Sequence, residues 1–306
     1  MSRVHEALRK SEVIFRKNAS NRASDPEPPK EEKSRTEFMA AEVLTDLSVR
    51  PAFTSHKDVS RPLEPLENEN HLPVCEPKLS EKIVVFSNPR SIVAERFRAL
   101  RTKLFQMRNQ NKRLKTILVT SAAPAEGKTL TSLNLSLAIA QEIDQNVLLI
   151  DSDLRRPSVH KTIGVPNGRG LSEFLRSEAP SNEFIQETTI PNFFLVPAGG
   201  IAEKPTELLN THRMKSFLAT AADRFDWVIL DSPPFVSLAD SEILSSLVDG
   251  VLIVVRARQT PADVIAKSKD FARGKNILGI IFNGVEDSKG AQYYYYYDQR
   301  QGEQLS

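Results

Sequence analysis

The residues from Ala122 to Thr129 (Ala-Ala-Pro-Ala-Glu-Gly-Lys-Thr) have types and a spacing that suit the binding of a polyphosphate. Gly127 lets the backbone approach phosphates closely, and the N–H groups of such a loop and of the following helix carry partial positive charge. Lys128 adds a full charge near the β- and γ-phosphates, and the hydroxyl of Thr129 can bind Mg²⁺. An ordinary turn between a strand and a helix is the alternative, because Ala122 stands where the usual pattern begins with glycine.

Carboxylates follow two of the apolar segments that come after this loop in the chain. Asp151 and Asp153 come directly after the apolar segment 147–150, and Asp231 follows 228–230. Mg²⁺ chemistry at a phosphate loop needs acidic residues at the ends of neighbouring strands. An aspartate at a strand end is often only a turn or helix-capping residue. Two such ends together with a Gly-Lys-Thr loop indicate a nucleoside triphosphate site.

The elements that must position these residues alternate between strands and helices. We predict strands at 116–120, 146–150, 193–197, 226–230, 250–255 and 277–282, with helices between them and an amphipathic helix before them at 91–109. Several strands are almost entirely apolar, which is typical of strands buried on both faces of a parallel sheet. The predicted fold class is therefore α/β, with a mostly parallel central sheet covered by helices on both faces and ligands at the carboxyl ends of the strands.

The chain is built of unlike parts, since all twelve glycines lie at or after Gly127. Residues 1–17 have the periodicity of an amphipathic helix. Residues 18–80 have the polar, proline-rich composition of a disordered linker. The folded domain is expected at 81–285, and residues 286–306 have the composition of a flexible tail.

Composition excludes several classes of protein. The formal net charge of +2 gives no general basic footprint, so nucleic acid is not an expected partner. Cys75 is the single cysteine, which excludes a disulfide within the chain and fits a reducing cytoplasm. No segment approaches the roughly 18–20 apolar residues of a membrane-spanning helix or has the apolar core of a secretory signal. We therefore expect a cytoplasmic protein whose membrane contacts come through a partner or a surface.

All five tyrosines stand in one block, Tyr293, Tyr294, Tyr295, Tyr296 and Tyr297. A structural tyrosine normally buries its ring and satisfies its hydroxyl in a core, whereas this block lies in the polar tail. A five-residue aromatic strand is the alternative, and acceptance of phosphate is the interpretation that we favour. Phosphorylation would add about −1.5 to −2 charges per residue and change assembly through repulsion.

Three segments resemble the Walker A, A′ and B motifs of bacterial tyrosine kinases: the loop at 122–129, Asp-Ser-Asp-Leu-Arg at 151–155 and Leu-Asp-Ser-Pro-Pro at 230–234. This family belongs to the deviant P-loop ATPases that include the ParA/MinD type, and the resemblance covers about residues 83–297. The pattern is that of the cytoplasmic CpsD/CapB type of kinase. The opening Met-Ser-Arg-Val-His-Glu-Ala-Leu resembles the subgroup encoded with exosortase and exopolysaccharide systems. Ala125 departs from the family, which usually has glycine there.

The resemblance implies a role for each residue of the site. ATP would be held by Pro124, Ala125, Glu126, Gly127, Lys128, Thr129 and Leu130, and Mg²⁺ by Thr129, Asp151 and Asp231. Asp151 is the candidate base that accepts the tyrosine proton, and Lys128, Asp153 and Asp231 complete the catalytic set. Arg155 would engage phosphates or a neighbouring subunit. Asn283 would contact adenine, with a turn asparagine as the alternative.

The predicted helix at 91–109 carries a further similarity, to the Glu-x-x-Arg-x-x-Arg oligomerisation motif of the family. Its residues are Glu95, Arg98 and Arg101, which lie beside and opposite the apolar stripe of the helix. The resemblance implies a ring of subunits that dissociates when the tail is phosphorylated. The alternative is an ion pair within the helix, worth a few tenths of a kcal/mol.

The favoured function is an ATP-dependent protein-tyrosine autokinase that phosphorylates the tyrosine cluster between subunits and regulates exopolysaccharide polymerisation and export. The resemblance implies a separate transmembrane polysaccharide co-polymerase, or chain-length determinant, as activator at the inner face of the plasma membrane, and a cognate tyrosine phosphatase. Two alternatives stay open. A ParA/MinD-type positioning ATPase would carry a signature lysine where this chain has Ala123. A nucleotide-bound scaffold of a polysaccharide assembly complex would transfer no phosphate.

Overall fold

A computed structural model describes residues 42–44, 72–236 and 238–285. Within these ranges the strands form one sheet in the order β1-β9-β8-β3-β7-β4-β6-β5-β2. The strands are β1 (Glu42–Leu44), β2 (Val74–Cys75), β3 (Thr116–Ser121), β4 (Val147–Asp151), β5 (Gln186–Thr188), β6 (Phe193–Val196), β7 (Trp227–Asp231), β8 (Gly250–Arg256) and β9 (Ile277–Asn283). The helices are α1 (Val84–Ser87), α2 (Ile92–Gln110), α3 (Lys128–Ala140), α4 (Val159–Ile163), α5 (Leu171–Arg176), α6 (Pro205–Leu209), α7 (His212–Arg224), α8 (Ala239–Ser245) and α9 (Ala262–Phe271).

The sheet is mostly parallel, as the sequence predicts. Strands β9, β8, β3, β7, β4 and β6 pair in parallel, while β1 is antiparallel to β9 and β5 is antiparallel to β6. The central strands β3, β4 and β7 are buried at every residue. Strands of this kind need cover on both faces, so the α/β class is confirmed.

Alternate residues of the central strands enter two separate hydrophobic clusters. Ile117 of β3 belongs to a cluster with Phe97 of α2 and Leu133 of α3. The next residue, Leu118, belongs to a second cluster that includes Phe217 of α7. Because successive side chains of a strand point to opposite faces, the sheet is covered by α1–α4 on one face and by α5–α9 on the other.

Four residues of the predicted site belong to strands or helices, whereas the sequence analysis places them in loops. Strands β4 and β7 end at Asp151 and Asp231, one residue later than predicted, because the parallel pairing continues to these two residues. Helix α3 begins at Lys128, so the loop lysine and Thr129 lie in its first turn. Both shifts place these residues in the hydrogen-bonded backbone of a strand or a helix.

The predicted linker at 18–80 differs from the structure at its carboxyl end. Leu72 is buried, and Val74–Cys75 pairs in parallel with β5. The carbonyl of Cys75 also accepts a hydrogen bond of 3.1 Å from the N–H of Thr189. A two-residue strand in a proline-rich segment has no periodicity that a sequence pattern could detect. Strand β1, at 42–44, also falls within the predicted linker.

Several predictions fall on residues outside the described ranges. These are the N-terminal helix at 1–17, most of the linker before residue 72, and the tail at 286–306 with its tyrosine cluster, and they stay predictions. In the part of the chain that the structure describes, none of the helices combines the length and the apolar character needed to cross a membrane.

Candidate active site

The loop at 122–129 connects β3 to α3, and its conformation at Gly127 requires glycine. Gly127 caps the helix in the left-handed region, with φ 91° and ψ 19°. A Cβ atom at this position would lie 2.0 Å from Nδ2 of Asn283. The backbone conformation and the close approach of a side chain therefore both exclude a larger residue.

Lys128 and Asp153 come together at the start of α3. The Nζ atom of Lys128 lies 3.5 Å from Oδ2 of Asp153, and both side chains are largely buried. The other oxygen, Oδ1 of Asp153, accepts a 3.0 Å hydrogen bond from the N–H of Arg156. The lysine is thus held by a carboxylate that is itself fixed to the backbone.

Thr129 and Asp231 are also brought together, with a hydroxyl that the sequence analysis missed. The Thr129 hydroxyl donates a 2.7 Å hydrogen bond to Oδ2 of Asp231, and the Ser132 hydroxyl donates to Oδ1 at 3.0 Å. Residues three apart lie on the same face of a helix, so the signal for Ser132 was its spacing from Thr129. Burial raises the pKa of Asp231 from 3.8 to about 6, against the opposing effects of Lys128 and these two hydroxyls.

Asp151 lies beside Asp231, since the two are register partners at the ends of the adjacent strands β4 and β7. Oδ2 of Asp151 accepts hydrogen bonds of 3.2 Å and 3.1 Å from the N–H groups of Ser158 and Val159, at the start of α4. Both carboxylates are fully buried. Burial, and then the negative charge of Asp231, raise the pKa of Asp151 well above its ordinary value. Ser158 was missed by the sequence analysis, although serine before a helix is a common cap.

The donor set at this edge fits a magnesium ion. It consists of the carboxylates of Asp151 and Asp231 and the hydroxyl of Thr129, all hard oxygen ligands of the type that Mg²⁺ prefers. Two buried carboxylates in register repel each other, and a divalent cation between them would remove that cost. In the described ranges no group of three or more His, Cys, Asp or Glu side chains forms a metal cluster by itself. The hydroxyl and the nucleotide phosphates would supply the remaining ligands.

Arg155 contacts a carboxylate that the sequence analysis did not identify. Its Nε donates to Oδ2 of Asp240 at 2.7 Å, and its Nη2 donates to Oδ1 of Asp240 at 3.2 Å. Thr206 joins the same group, because its hydroxyl donates to Oδ1 of Asp240 at 2.6 Å. Asp240 is fully buried and needs this counter-charge. The guanidinium therefore has a partner within the chain, in α8, and its predicted contact with phosphates or a neighbouring subunit stays a prediction.

Asn283 and Glu126 contact each other at the phosphate loop. The Nδ2 of Asn283 donates a 2.9 Å hydrogen bond to the carbonyl of Glu126, and the predicted contact of Asn283 with adenine stays a prediction. The Glu126 side chain is buried and turned away from solvent. Among the other predicted loop residues, Pro124 and Ala125 are exposed, and Leu130 packs on the hydrophobic cluster below α3.

The Glu-x-x-Arg-x-x-Arg residues on α2 have partners within the chain. Arg98 forms an ion pair with Glu95, which is the alternative that the sequence left open. Arg101 donates a 2.9 Å hydrogen bond to the carbonyl of Ala138 and pairs with Glu142 at 2.5 Å, at the carboxyl end of α3. Arg101 thus joins α2 to α3, and the predicted subunit interface stays a prediction.

Comparison with known proteins assigns this site to a family. Residues 82–267 match the family model described as an AAA domain. Tyrosine-protein kinase YwqD from Bacillus subtilis (strain 168) is 33% identical over 221 residues, which cover 72% of this chain and 92% of YwqD. The solved kinase domain of Escherichia coli tyrosine kinase ETK has a TM-score of 0.64 at 34% identity, covering 68% of this chain and 82% of that one. The chimerical protein CapA2B2 has a TM-score of 0.62 at 28% identity, covering 68% and 92% of the two chains.

The fold, the phosphate loop and these relatives agree with one another. The central parallel sheet delivers Asp151 and Asp231 to the side of the Gly-Lys-Thr loop, as the motif resemblance implies. The relatives are kinases by name, and the first of them is matched along nearly its whole length. This chain has the P-loop NTPase fold, belongs to the bacterial tyrosine kinase family and is a protein-tyrosine kinase.

Proposed function

We propose that this kinase binds ATP with Mg²⁺ and transfers the γ-phosphate to the tyrosine cluster Tyr293–Tyr297 of another copy of the chain. The observation that carries the proposal is the pairing of Asp151 with Asp231 beside the Thr129 hydroxyl and the Lys128 ammonium. This arrangement combines a cation for phosphate with a buried pair of carboxylates for a metal.

Each group has a part in the transfer. Mg²⁺, when bound, supplies neutralisation of the phosphate charge. Lys128 binds the phosphates once it leaves Asp153. Asp151 accepts the proton of the tyrosine hydroxyl while the phenolic oxygen bonds to the γ-phosphorus and the bond to the bridging oxygen of the leaving ADP breaks.

The tail begins close to the site that would phosphorylate it. Strand β9 ends at Asn283, which contacts the phosphate loop. Residues 285–293 span at most about 30 Å when extended, so the first acceptor could also reach its own active site. Transfer between subunits is supported by the likeness to the family, and the experiment must therefore distinguish the two routes.

The wider role that we propose is control of exopolysaccharide polymerisation and export from the cytoplasmic side of the plasma membrane. Subunits would form a ring through Glu95, Arg98 and Arg101. A separate transmembrane co-polymerase would activate the ring, and charges added to the tail would loosen it by repulsion. A cognate phosphatase would return the tail to its unmodified state.

The test is incubation of the full chain with Mg-ATP, followed by mapping of phosphotyrosine, with the activator's cytoplasmic segment present. Lys128→Ala and replacement of Tyr293–Tyr297 by Phe are the controls. Mixing the Lys128→Ala chain with an active chain that lacks tail tyrosines separates the routes, since phosphate on the inactive chain requires transfer between subunits. Steady ATP hydrolysis with no phosphotyrosine in any arm would favour the positioning ATPase or the scaffold.

A further inference from the structure

Side chains of the neighbouring strands β8 and β9 donate hydrogen bonds to the backbone of the phosphate loop. Arg256 and Asn283 are register partners at the carboxyl ends of these strands. Nη1 of Arg256 donates a 3.0 Å hydrogen bond to the carbonyl of Ala125, and Nδ2 of Asn283 donates a 2.9 Å hydrogen bond to the carbonyl of Glu126. Two adjacent side chains thus bind two successive carbonyl groups of the loop.

Fixing these carbonyls also fixes N–H groups. In a planar trans peptide the C=O of one residue and the N–H of the next point in opposite directions. The carbonyls of Ala125 and Glu126 point towards Arg256 and Asn283, so the N–H groups of Glu126 and Gly127 point away from them. Loop N–H groups are the donors that such loops offer to phosphate.

A third contact holds the loop through the buried side chain of Glu126. The Thr260 hydroxyl donates a 2.5 Å hydrogen bond to Oε1 of Glu126, and Oε2 accepts from the N–H of Ala123 at 3.1 Å. The same hydroxyl oxygen accepts from the N–H of Arg256 at 3.1 Å. Thr260 is buried and ties the turn after β8 to the loop.

We propose that Arg256, Thr260 and Asn283, which we call the loop brace, are positioning residues that orient the loop N–H groups for the phosphates of the nucleotide. None of them needs to touch the nucleotide for this role. The inference rests on the proposed ATP site, and it assigns Asn283 to the phosphate end of the nucleotide in place of the predicted contact with adenine.

The backbone of the loop gives a reason for such a brace. Ala125 has a φ of 62°, in the left-handed region that residues with a Cβ rarely adopt. Gly127, two residues later, has a φ of 91°. Two of the six residues in the segment 122–127 are left-handed, and contacts with neighbouring side chains stabilise this uncommon conformation. The brace acts on the two peptide groups between these residues.

Tripolyphosphate is the probe that separates the brace from an adenine contact, because it has the phosphates of ATP and no base. We expect Asn283→Ala to weaken the binding of Mg-tripolyphosphate and Mg-ATP by a similar factor of about 5–10, measured by titration calorimetry, which is what the loss of one neutral hydrogen bond gives. Weaker binding of Mg-ATP with unchanged binding of Mg-tripolyphosphate would overturn the assignment of Asn283.

Thr260 provides a matched test that keeps the volume of the side chain. Thr260→Val should weaken both ligands several-fold and raise the KM for ATP with little change in kcat, while Thr260→Ser should restore wild-type binding. Thr220→Val, which removes a hydroxyl bonded to the carbonyl of Ser216 on α7, is the control and should leave both affinities unchanged. Equal affinities for Thr260→Val and wild type, whether or not the melting temperature falls, would overturn the role of the brace.

Failure of the proposed function has a different signature. If the wild-type chain binds Mg-tripolyphosphate, the brace variants weaken that binding and no phosphotyrosine forms, the role of the brace is supported and phosphorylation of the tail is contradicted. A wild-type chain that binds neither ligand contradicts the nucleotide site and the brace together.

Discussion

Asp151 and Asp231 are register partners at the ends of adjacent parallel strands, and both carboxylates are fully buried. Such a placement costs stability, because each carboxylate loses water and gains a like charge as neighbour. Hydrogen bonds from Thr129 and Ser132 to Asp231 offset only part of that cost. A divalent cation bound between the two carboxylates would remove most of the remaining repulsion.

The first prediction concerns the dependence of stability on pH. The pKa of Asp231 is raised from 3.8 in the unfolded chain to about 6 in the folded one. The folded state then binds protons more readily than the unfolded state, so this carboxyl lowers the free energy of unfolding as pH rises from about 4 to 6. Asp231→Asn should therefore raise the melting temperature relative to wild type, with the difference growing from near zero at pH 4 to several degrees at pH 7.

Calorimetry of the two proteins across this pH range checks the prediction. Mg-ADP should raise the melting temperature of wild type more than that of Asp231→Asn, because the variant has lost a metal ligand. A difference between the proteins that is constant from pH 4 to pH 7 would contradict the burial of a charged Asp231.

The second prediction concerns the capping glycine of α3. Gly127→Ala places a Cβ 2.0 Å from Nδ2 of Asn283 and forces alanine to a φ of 91°. We expect a loss of about 2–3 kcal/mol in the free energy of unfolding and a loss of nucleotide binding of more than about tenfold. Chemical denaturation and titration with ADP measure the two effects.

Gly274 is the matched control for this change. It also has a left-handed backbone, with a φ of 71°, but a Cβ there would meet no atom within 4 Å. Gly274→Ala should cost only about 1 kcal/mol and leave ADP binding unchanged. Similar costs and unchanged ADP binding for both variants would show that Asn283 does not lie close to Gly127.

The sequence was sufficient for the fold class and for the centre of the site because the signals there are local. Apolar strands that end in Asp151 and Asp231 and a Gly-Lys-Thr segment can be recognised within a few residues. The contact of Thr260 with Glu126 joins positions 134 residues apart, and no local pattern specifies it. The short strands β2 and β5 were missed for a related reason, since two or three residues show no periodicity.

The third prediction tests the role of Arg155, for which the sequence predicts a contact with phosphates or a neighbouring subunit and which the structure pairs with Asp240. Arg155→Met keeps the apolar stem and removes the charge, which leaves a buried carboxylate with Thr206 as its remaining partner. We expect a loss of about 2–3 kcal/mol, less than for a fully buried pair because Arg155 is partly exposed. In a domain of this size this lowers the melting temperature by about 5–10 °C.

The double variant Arg155→Met with Asp240→Asn is the control, because it removes the unpaired charge as well. It should recover more than half of the lost stability. An unchanged melting temperature together with a raised KM for ATP in Arg155→Met would contradict the structural role and favour the predicted contact of Arg155 with phosphates.

The fourth prediction concerns Ala125, where the chain departs from the glycine usual in the family. Its φ of 62° costs an alanine about 1 kcal/mol relative to glycine. Ala125→Gly removes this strain but makes the unfolded chain more flexible. We therefore expect the melting temperature to be unchanged or to rise by up to about 3 °C. Ala99→Gly, at an exposed position in the middle of α2, is the opposite control and should lower stability by about 0.5–1 kcal/mol.

Ala125→Gly also tests whether the side chain of residue 125 affects phosphate binding apart from its effect on stability. The loop brace binds the carbonyl of residue 125 and not its side chain, so Ala125→Gly should keep the binding of Mg-tripolyphosphate within about twofold of wild type. If the variant is destabilised as much as Ala99→Gly, residue 125 is not held in the left-handed region. If affinity instead falls by about tenfold while stability is kept, the Ala125 methyl group itself restricts the loop, and the brace alone does not determine its conformation.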